Sequence, residues 1–156
     1  MQLAIAEKFQ LNSDQIICGT GSDEVLIFAS LAFCAPGDEV IHALHGFEMY
    51  PIITKYAGAE SVLASEIDYK IDIQSILDNI NESTKLILIA NPNNPTSTYL
   101  NRDELRFLMN KIPSNIVVVL DTAYAEFADA SDYDKTFNLA DDYSRGQGAR
   151  VCYRVG

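Results

Sequence analysis

The 156-residue sequence has no tryptophan, three cysteines and only 11 basic residues against 22 acidic ones. Because the formal net charge is −11 at pH 7, the chain would repel nucleic-acid phosphates and anionic membrane surfaces, and neither is an expected partner. No apolar run approaches the length that crosses a bilayer. Cys18, Cys34 and Cys152 are odd in number and lack metal-ligand spacing, which argues against a disulfide framework and against a zinc site.

The composition itself is that of a globular protein, with 48% hydrophobic and 21% charged residues. The length suits one domain, over 1–156, that buries a core of its own. Residues 1–9 contain neither a basic region nor a cleavage site, so the expected location is the cytoplasm. Several acidic residues near the end of the chain are interpreted as a solvated face rather than a metal site: Asp129, Asp132, Asp134, Asp141 and Asp142.

Predicted strands and helices alternate along the chain. Apolar runs rich in β-branched residues, at 86–89 and 116–120, are typical of strands buried on both faces, as in a parallel sheet. Asn101 and Glu104 have the spacing of a capping box and predict the start of a helix. The alternation predicts an α/β fold with three layers and a mostly parallel sheet. The other predicted strands lie at 15–18, 39–44 and 61–64, and helices are predicted at 3–9, 25–33, 73–80 and 101–110. Residues 45–50 are predicted to turn into a further helix, which runs through residue 56.

Polar motifs follow the strongest strand signals. Residues 91–96 read Asn-Pro-Asn-Asn-Pro-Thr, and residues 121–127 read Asp-Thr-Ala-Tyr-Ala-Glu-Phe. Since ligands of open α/β sheets bind outside the carboxyl ends of the strands, we expect a site that contains both motifs. Residues 19–24, Gly-Thr-Gly-Ser-Asp-Glu, precede a predicted helix, where free backbone N–H groups suit a phosphate. A plain turn with a serine N-cap is the alternative for this loop.

Together these motifs resemble the class I and II aminotransferases that use pyridoxal 5′-phosphate (PLP). The variant Asp-x-Ala-Tyr-x-Glu-Phe is most similar to the histidinol-phosphate aminotransferases, and the resemblance extends to about Ser144. It implies the large domain of PLP-dependent transferase fold type I, PLP as a cofactor that is weakly bound or unoccupied, and a homodimer. It also implies an amino-acid-like phosphate substrate: the parent reaction, in histidine biosynthesis, moves an amino group between histidinol phosphate and 2-oxoglutarate.

The resemblance implies a role for each matching residue. Asp121 would accept a hydrogen bond from the pyridine nitrogen of PLP, and Asn94 and Tyr124 would donate to its phenolic oxygen. Phe47 would lie against the ring, with Tyr50 as the second candidate, and packing in the core is the alternative for both side chains. The residues implied at the coenzyme phosphate are Gly21, Ser22, Asp23 and Arg150.

Two departures from the family pattern bear on catalysis. Ser97 stands where relatives have glycine, which costs on the order of 1 kcal/mol or more if that position needs a positive φ. The Schiff-base lysine is not found, because Lys135 follows Asp121 too closely in an acidic segment and Leu139 stands in the lysine position. We therefore expect a truncated relative that lacks the lysine segment and the small domain, is inactive alone, and has an aberrant or disordered tail at 145–156. A non-enzymatic remnant and one half of a split aminotransferase are the alternatives.

Overall fold

A computed structural model of the protein describes residues 1–134 and the backbone of Arg150–Arg154. Five parallel strands form the central sheet, and two short strands form an antiparallel hairpin beside it. The strands are β1 (Glu39–Ala43), β2 (Glu60–Ala64), β3 (Glu66–Ile67), β4 (Lys70–Ile71), β5 (Thr84–Ala90), β6 (Val117–Asp121) and β7 (Arg150–Arg154). The helices are α1 (Gln2–Phe9), α2 (Ser22–Phe33), α3 (Met49–Tyr56), α4 (Ile73–Asp78) and α5 (Arg102–Lys111), with 3-10 turns at Ser13–Gln15 and Ala125–Phe127.

The central sheet has the order β2-β1-β5-β6-β7, and every neighbouring pair is parallel. Leu86 and Leu88 of β5 pack on one face of the sheet, in a cluster with residues of α2 and α3. Ile87 and Ile89 pack on the other face, in a cluster with residues of α4 and α5. Successive side chains of a strand point to opposite faces, so an uninterrupted apolar run is what two such helical layers require. The predicted three-layer α/β fold with a parallel sheet is confirmed.

Local signals in the sequence explain where two of the helices begin. Asn101 caps α5, and its side-chain oxygen accepts from the N–H groups of Asp103 and Glu104, both at 3.0 Å. The Glu104 carboxylate accepts in return from the Asn101 N–H at 2.8 Å, which completes the predicted capping box. Asp72 caps α4 in the same manner, through the N–H of Gln74 at 3.0 Å. Both helix starts were therefore readable from a few neighbouring residues.

The strand predicted at 15–18 is wrong. Gln15 ends a 3-10 turn, and Ile17 is 74% exposed in an extended segment without strand pairing. The side-chain amide of Gln2 donates to the carbonyl groups of Ser13 (2.8 Å) and Ile16 (2.7 Å). A β-branched run forms a strand only beside another strand, and residues 15–18 pair with none of the described strands.

Part of the tail predicted at 145–156 lies among the described residues. Within the segment expected to be an aberrant or disordered tail, Arg150–Arg154 forms the edge strand β7 instead. Lys135 and Leu139 lie outside the described residues, as do the other positions of 135–149 and 155–156. Among the helices that the structure describes, none combines the length and apolar character that a bilayer crossing requires.

Candidate functional site

The two central polar motifs meet at the carboxyl edge of the sheet. Asp121 is the last residue of β6 and pairs with Ala90, the last residue of β5. The backbone N–H of Asn91 then donates to the Asp121 carbonyl at 2.8 Å, so the loop after β5 starts beside Asp121. The loop that contains Phe47 follows β1, the other parallel neighbour of β5. Three adjacent strands therefore deliver their following segments to one edge, as the sequence predicted.

The glycine loop follows no described strand, and its place is inferred from the direction of α2. Because α2 packs on the sheet and only residues 34–38 link it to β1, we expect the helix to run antiparallel to the strand. A helix of 12 residues is about 18 Å long and a strand of five about 16 Å, which brings the start of α2 toward the carboxyl edge. Gly21 at the N-cap has φ +144°, a value that favours glycine, and a Cβ there would meet nothing within 4 Å. Beside it, Ser22 Oγ donates to Asp23 Oδ1 at 3.3 Å.

Asp121 is buried at the carboxyl edge of the sheet, and both of its carboxylate oxygens accept hydrogen bonds. Its side chain belongs to a residue that is only 4% exposed. Oδ2 accepts from the hydroxyl of Tyr50 at 3.2 Å, and Oδ1 accepts from the N–H of Ala123 at 3.2 Å. A carboxylate with little water around it and a fixed orientation is suited to accept a strong hydrogen bond from a cationic N–H group.

A groove of about 410 Å³ lies beside the loop after β5, within the range of about 300–1,000 Å³ typical of small-molecule sites. It brings Asn94 and Tyr124 together, and the Tyr124 ring lies 6.4 Å from that of Phe127. Asp121 and Phe47 are not among the residues that form its wall. The groove is lined by Pro92, Asn93, Asn94, Pro95, Ser97, Tyr99, Tyr124, Phe127, Ala128, Asp129 and Ala130.

Asn91 organises the loop that presents Asn94. Its buried side chain binds both backbone groups of Leu100: Nδ2 donates to the carbonyl at 3.1 Å, and Oδ1 accepts from the N–H at 2.7 Å. The hydroxyl of buried Tyr133 donates to the Asn91 carbonyl at 2.5 Å. Burial raises the pKa of Tyr133, with further contributions from nearby acidic groups, so the hydroxyl keeps its proton and remains a donor. Sequence reasoning did not assign these roles to Asn91 and Tyr133, because the contact joins residues 42 positions apart.

Within the same loop, Ser97 adopts φ +61°. Its N–H donates to the Asn93 carbonyl at 2.9 Å, and the Asn93 N–H donates to the Thr98 carbonyl at 2.8 Å. Position 97 therefore has the positive φ at which serine is less favourable than glycine.

The two aromatic candidates differ in their surroundings. Tyr50 is 1% exposed and belongs to the core, so the core alternative is correct for its ring, although its hydroxyl reaches Asp121. Phe47 is half-buried and packs edge-on against Tyr50, with ring centroids 5.8 Å apart and an interplanar angle of 87°. Phe47 thus stays a prediction as the residue beside a ligand ring, and Tyr50 is better described as its support.

Arg150 starts β7 and pairs with Val117, at the amino end of β6. In the same register Arg154 pairs with Asp121, at the carboxyl end. Four residues of strand, about 13 Å, separate the two arginine positions along β7. The backbone register thus places Arg150 at the opposite edge from Asp121, and its predicted contact with the coenzyme phosphate stays a prediction that this register does not favour.

None of the lysines of residues 1–134 lines the groove. Lys70 binds both carboxylate oxygens of Glu104, at 2.6 and 2.7 Å. Lys85 donates to the Glu82 carbonyl at 2.6 Å, near the amino end of β5. Within this part of the chain, the groove therefore contains the predicted ring contacts Asn94 and Tyr124 but no lysine side chain.

Comparison with known proteins agrees with the geometry. Residues 1–150 match the family described as aminotransferase class I and II. The chain is 46% identical over 131 residues to the histidinol-phosphate aminotransferase of Rhodopseudomonas palustris (strain HaA2), covering 84% of this chain and 36% of that protein. It is 42% identical over 137 residues to the enzyme of that name from Nitrobacter hamburgensis, covering 88% and 38%.

Among solved structures, the backbone is similar to that of histidinol-phosphate aminotransferase from Sinorhizobium meliloti in complex with pyridoxal-5′-phosphate. The TM-score is 0.85 at 20% identity, covering 97% of this chain and 40% of that one, which shows a shared fold. The chain thus spans about two fifths of the length of the curated relatives it matches.

Proposed function

Because the chain belongs to the class I and II aminotransferases, we propose that it binds pyridoxal 5′-phosphate at the carboxyl edge of its sheet, as a histidinol-phosphate aminotransferase-like protein. The observation that carries the proposal is the Asp121 carboxylate, which is buried and oriented by donors on both of its oxygens. A protonated pyridine nitrogen needs such an acceptor, because the neighbouring charge keeps the proton on the ring.

Bound PLP supplies an electron sink for chemistry at an amino group. Asp121 accepts the hydrogen bond of the ring N–H and holds the proton on that nitrogen. Asn94 and Tyr124, which share the groove, donate to the phenolic oxygen and keep it anionic. Phe47 excludes water from one face of the ring.

The start of α2 receives the phosphate group in this proposal. Gly21 leaves the entry to the helix open, and the first backbone N–H groups of α2 carry the positive end of the helix dipole. Ser22 adds a hydroxyl group to these donors. Asp23 stands at one of the positions that the resemblance implies beside the coenzyme phosphate. These contacts are reversible, so the affinity for PLP is expected to be lower than in a protein that also binds it covalently.

The parent reaction is amino transfer between histidinol phosphate and 2-oxoglutarate. We propose that this chain does not catalyse it alone, since no lysine of residues 1–134 lies on the groove to move a proton between substrate and cofactor. The substrate class, an amino-acid-like phosphate, and a homodimeric state are part of the same proposal. A non-enzymatic remnant, or one half of a split enzyme completed by a second chain, would have the same described residues.

Cofactor binding is tested by titrating the protein with PLP and following the absorbance of the bound ring. We expect saturable binding that Asp121→Asn weakens by about tenfold or more, because the variant removes the charge that faces the ring nitrogen. Asp103→Asn, an exposed first-turn aspartate of α5, is the matched control and should bind as the wild type does. Absence of saturable binding by the wild type would refute the proposal.

The inactivity of the chain alone is tested by borohydride reduction in the presence of PLP, followed by peptide mass mapping and a turnover assay with histidinol phosphate. We expect scattered, substoichiometric labelling of surface lysines and no saturable turnover. One stoichiometric adduct on Lys135, with turnover that Lys135→Ala abolishes, would overturn this part of the proposal.

A further inference from the structure

Tyr50 makes a contact that its packing does not require. The residue lies in the first turn of α3 and is 1% exposed. Its ring packs edge-on against Phe47, with centroids 5.8 Å apart, and tilted against His42 at 6.0 Å. Phenylalanine would fill the same volume. The hydroxyl is the part that packing leaves unexplained, and it donates to Asp121 Oδ2 at 3.2 Å across 71 positions of sequence.

The contact fixes the orientation of the Asp121 carboxylate. A carboxylate with a donor on one oxygen alone can still turn about its Cβ–Cγ bond. Here the Ala123 N–H holds Oδ1 and the Tyr50 hydroxyl holds Oδ2, at 3.2 Å each, so the plane of the carboxylate is set by two elements of the fold.

Tyr50 also links the two residues expected to meet opposite parts of a ligand ring. Its ring supports Phe47, which is expected against the face of the ring, and its hydroxyl holds Asp121, which is expected at the nitrogen. The backbone of Tyr50 is itself fixed, since its N–H donates to the Phe47 carbonyl at 2.9 Å and its carbonyl accepts from Thr54 Oγ1 at 2.8 Å.

We propose that Tyr50 is a positioning residue, which aims the Asp121 carboxylate at the ring nitrogen of the cofactor and thereby gives the site its preference for a pyridine ring. The inference rests on the proposed binding of PLP and assigns a role that goes beyond it. A residue that only fills the core would affect every ligand of the site alike. A residue that aims Asp121 affects ligands that have a ring nitrogen to bind.

The test compares two probes on the same protein preparation: PLP, and its benzenoid analogue in which C–H replaces the ring nitrogen. Tyr50→Phe should reduce the preference for PLP over the analogue by about tenfold, as expected for losing one hydrogen bond to a charged group, and should leave binding of the analogue nearly unchanged. Tyr56→Phe, on the same helix but 70% exposed, is the matched control and should keep the wild-type preference. In an Asp121→Asn background, Tyr50→Phe should have little further effect.

The outcomes separate the two proposals. Equal weakening of both probes by Tyr50→Phe, or no weakening of either, overturns the role of Tyr50 and leaves PLP binding intact. Absence of saturable PLP binding by the wild type overturns the proposed function. The NMR resonance of the Asp121 carboxyl carbon can be followed without any cofactor, and Asp121→Asn identifies that resonance. The resonance should move in Tyr50→Phe and not in Tyr56→Phe, and an unmoved resonance in Tyr50→Phe contradicts the inference without any ligand.

Discussion

Ser97 has a backbone conformation that suits glycine better than serine. Its φ of +61° lies in the left-handed region, where a Cβ is crowded by the neighbouring backbone. The conformation persists because the turn is closed by the bond from the Ser97 N–H to the Asn93 carbonyl, and because Asn91 holds both ends of the loop together. Strain of this kind is tolerated where surrounding contacts determine the loop.

We therefore expect Ser97→Gly to raise the free energy of unfolding by roughly 0.5–1 kcal/mol, the relief of the strain less the larger entropy of glycine in the unfolded chain. Urea denaturation measures the change. Ser114→Gly is the control, since Ser114 is exposed and is not among the residues with positive φ, and it should lower stability by roughly 0.5–1 kcal/mol. A loss of stability in Ser97→Gly would show that the serine conformation is not strained.

His42 is a buried histidine in the central sheet. Its Nδ1 lies 3.1 Å from the Ala43 carbonyl and its Nε2 lies 3.1 Å from Ser61 Oγ. Burial lowers the pKa of His42 below its ordinary value of 6.5, and the hydrogen bond with the Ala43 carbonyl opposes this only in part. The folded state therefore keeps the ring neutral at a pH where the unfolded chain already binds a proton.

Because folding lowers the pKa of His42, the unfolded state takes up the proton first as the pH drops. We therefore expect the free energy of unfolding to fall between about pH 6.5 and the folded pKa of His42. The chain has two histidines, so NMR titration of the ring protons measures the pKa of each one directly. His42→Gln identifies which resonance belongs to His42. The same variant should flatten the pH dependence of urea unfolding in this range. A His42 resonance that titrates above pH 6.5 would contradict the prediction.

At the scale of elements, an ion pair joins the β3–β4 hairpin to α5. Lys70 donates to both carboxylate oxygens of Glu104, and the same carboxylate completes the capping box with Asn101. Burial raises the pKa of Glu104, but the hydrogen bonds from Lys70 and from the Asn101 N–H outweigh it, and the net pKa lies below the ordinary 4.5. One charged group therefore stabilises both a helix start and the docking of a hairpin.

Because the folded pKa of Glu104 is lowered, its contribution to stability is present above about pH 4.5 and is lost as the pH falls through the folded value. We expect Glu104→Gln to reduce the free energy of unfolding by about 1 kcal/mol at about pH 6, and the difference from wild type to shrink toward about pH 3. Urea titrations across this range measure it. Glu82→Gln, an exposed glutamate in the turn before β5, should show a smaller effect, and a constant difference at all pH values for Glu104→Gln would refute the mechanism.

The elements that could be predicted from the sequence are those whose signal is local. β5 and β6 are uninterrupted apolar runs, and α5 begins at a capping box, so each can be recognised within a few residues. The segment 15–18 has an equally good strand composition and forms none, because a strand also needs a partner that the segment itself does not encode.

In the candidate site, too, the features with a local sequence signal were predictable and those that depend on distant residues were not. Asp121 and Asn94 were predictable because each follows a strong strand signal in a parallel sheet. The bond from Tyr50 to Asp121 and that from Tyr133 to Asn91 join residues 71 and 42 positions apart, and no periodicity or spacing specifies such pairs. They follow from how α3 and the segment after β6 pack, which only the folded chain determines.

At the scale of the whole molecule, charge and apolar surface act in opposite directions. Phe28 and Leu31 are exposed on α2, and Ile52 and Tyr56 are exposed on the neighbouring α3, on the same face of the sheet. Exposed apolar surface of this kind favours association. The net charge of −11 opposes it, because copies of the chain repel one another.

We expect the chain to associate with itself, most simply as a dimer, and to do so more strongly as salt rises, since at about 0.15 M the Debye length falls to about 8 Å and the repulsion between copies is screened. Light scattering over a range of concentration and salt measures this.

If the α2–α3 surface is buried in the dimer, Leu31→Glu with Ile52→Glu places charge in the contact and should give a monomer under all conditions. Phe107→Glu, exposed on α5 on the opposite face of the sheet, adds one negative charge outside the contact and should still dimerise. Each single variant, Leu31→Glu and Ile52→Glu, can be compared with this control at equal charge. A wild-type chain that stays monomeric at high concentration and high salt would contradict self-association, and a double variant that dimerises like the control would assign the contact to another surface.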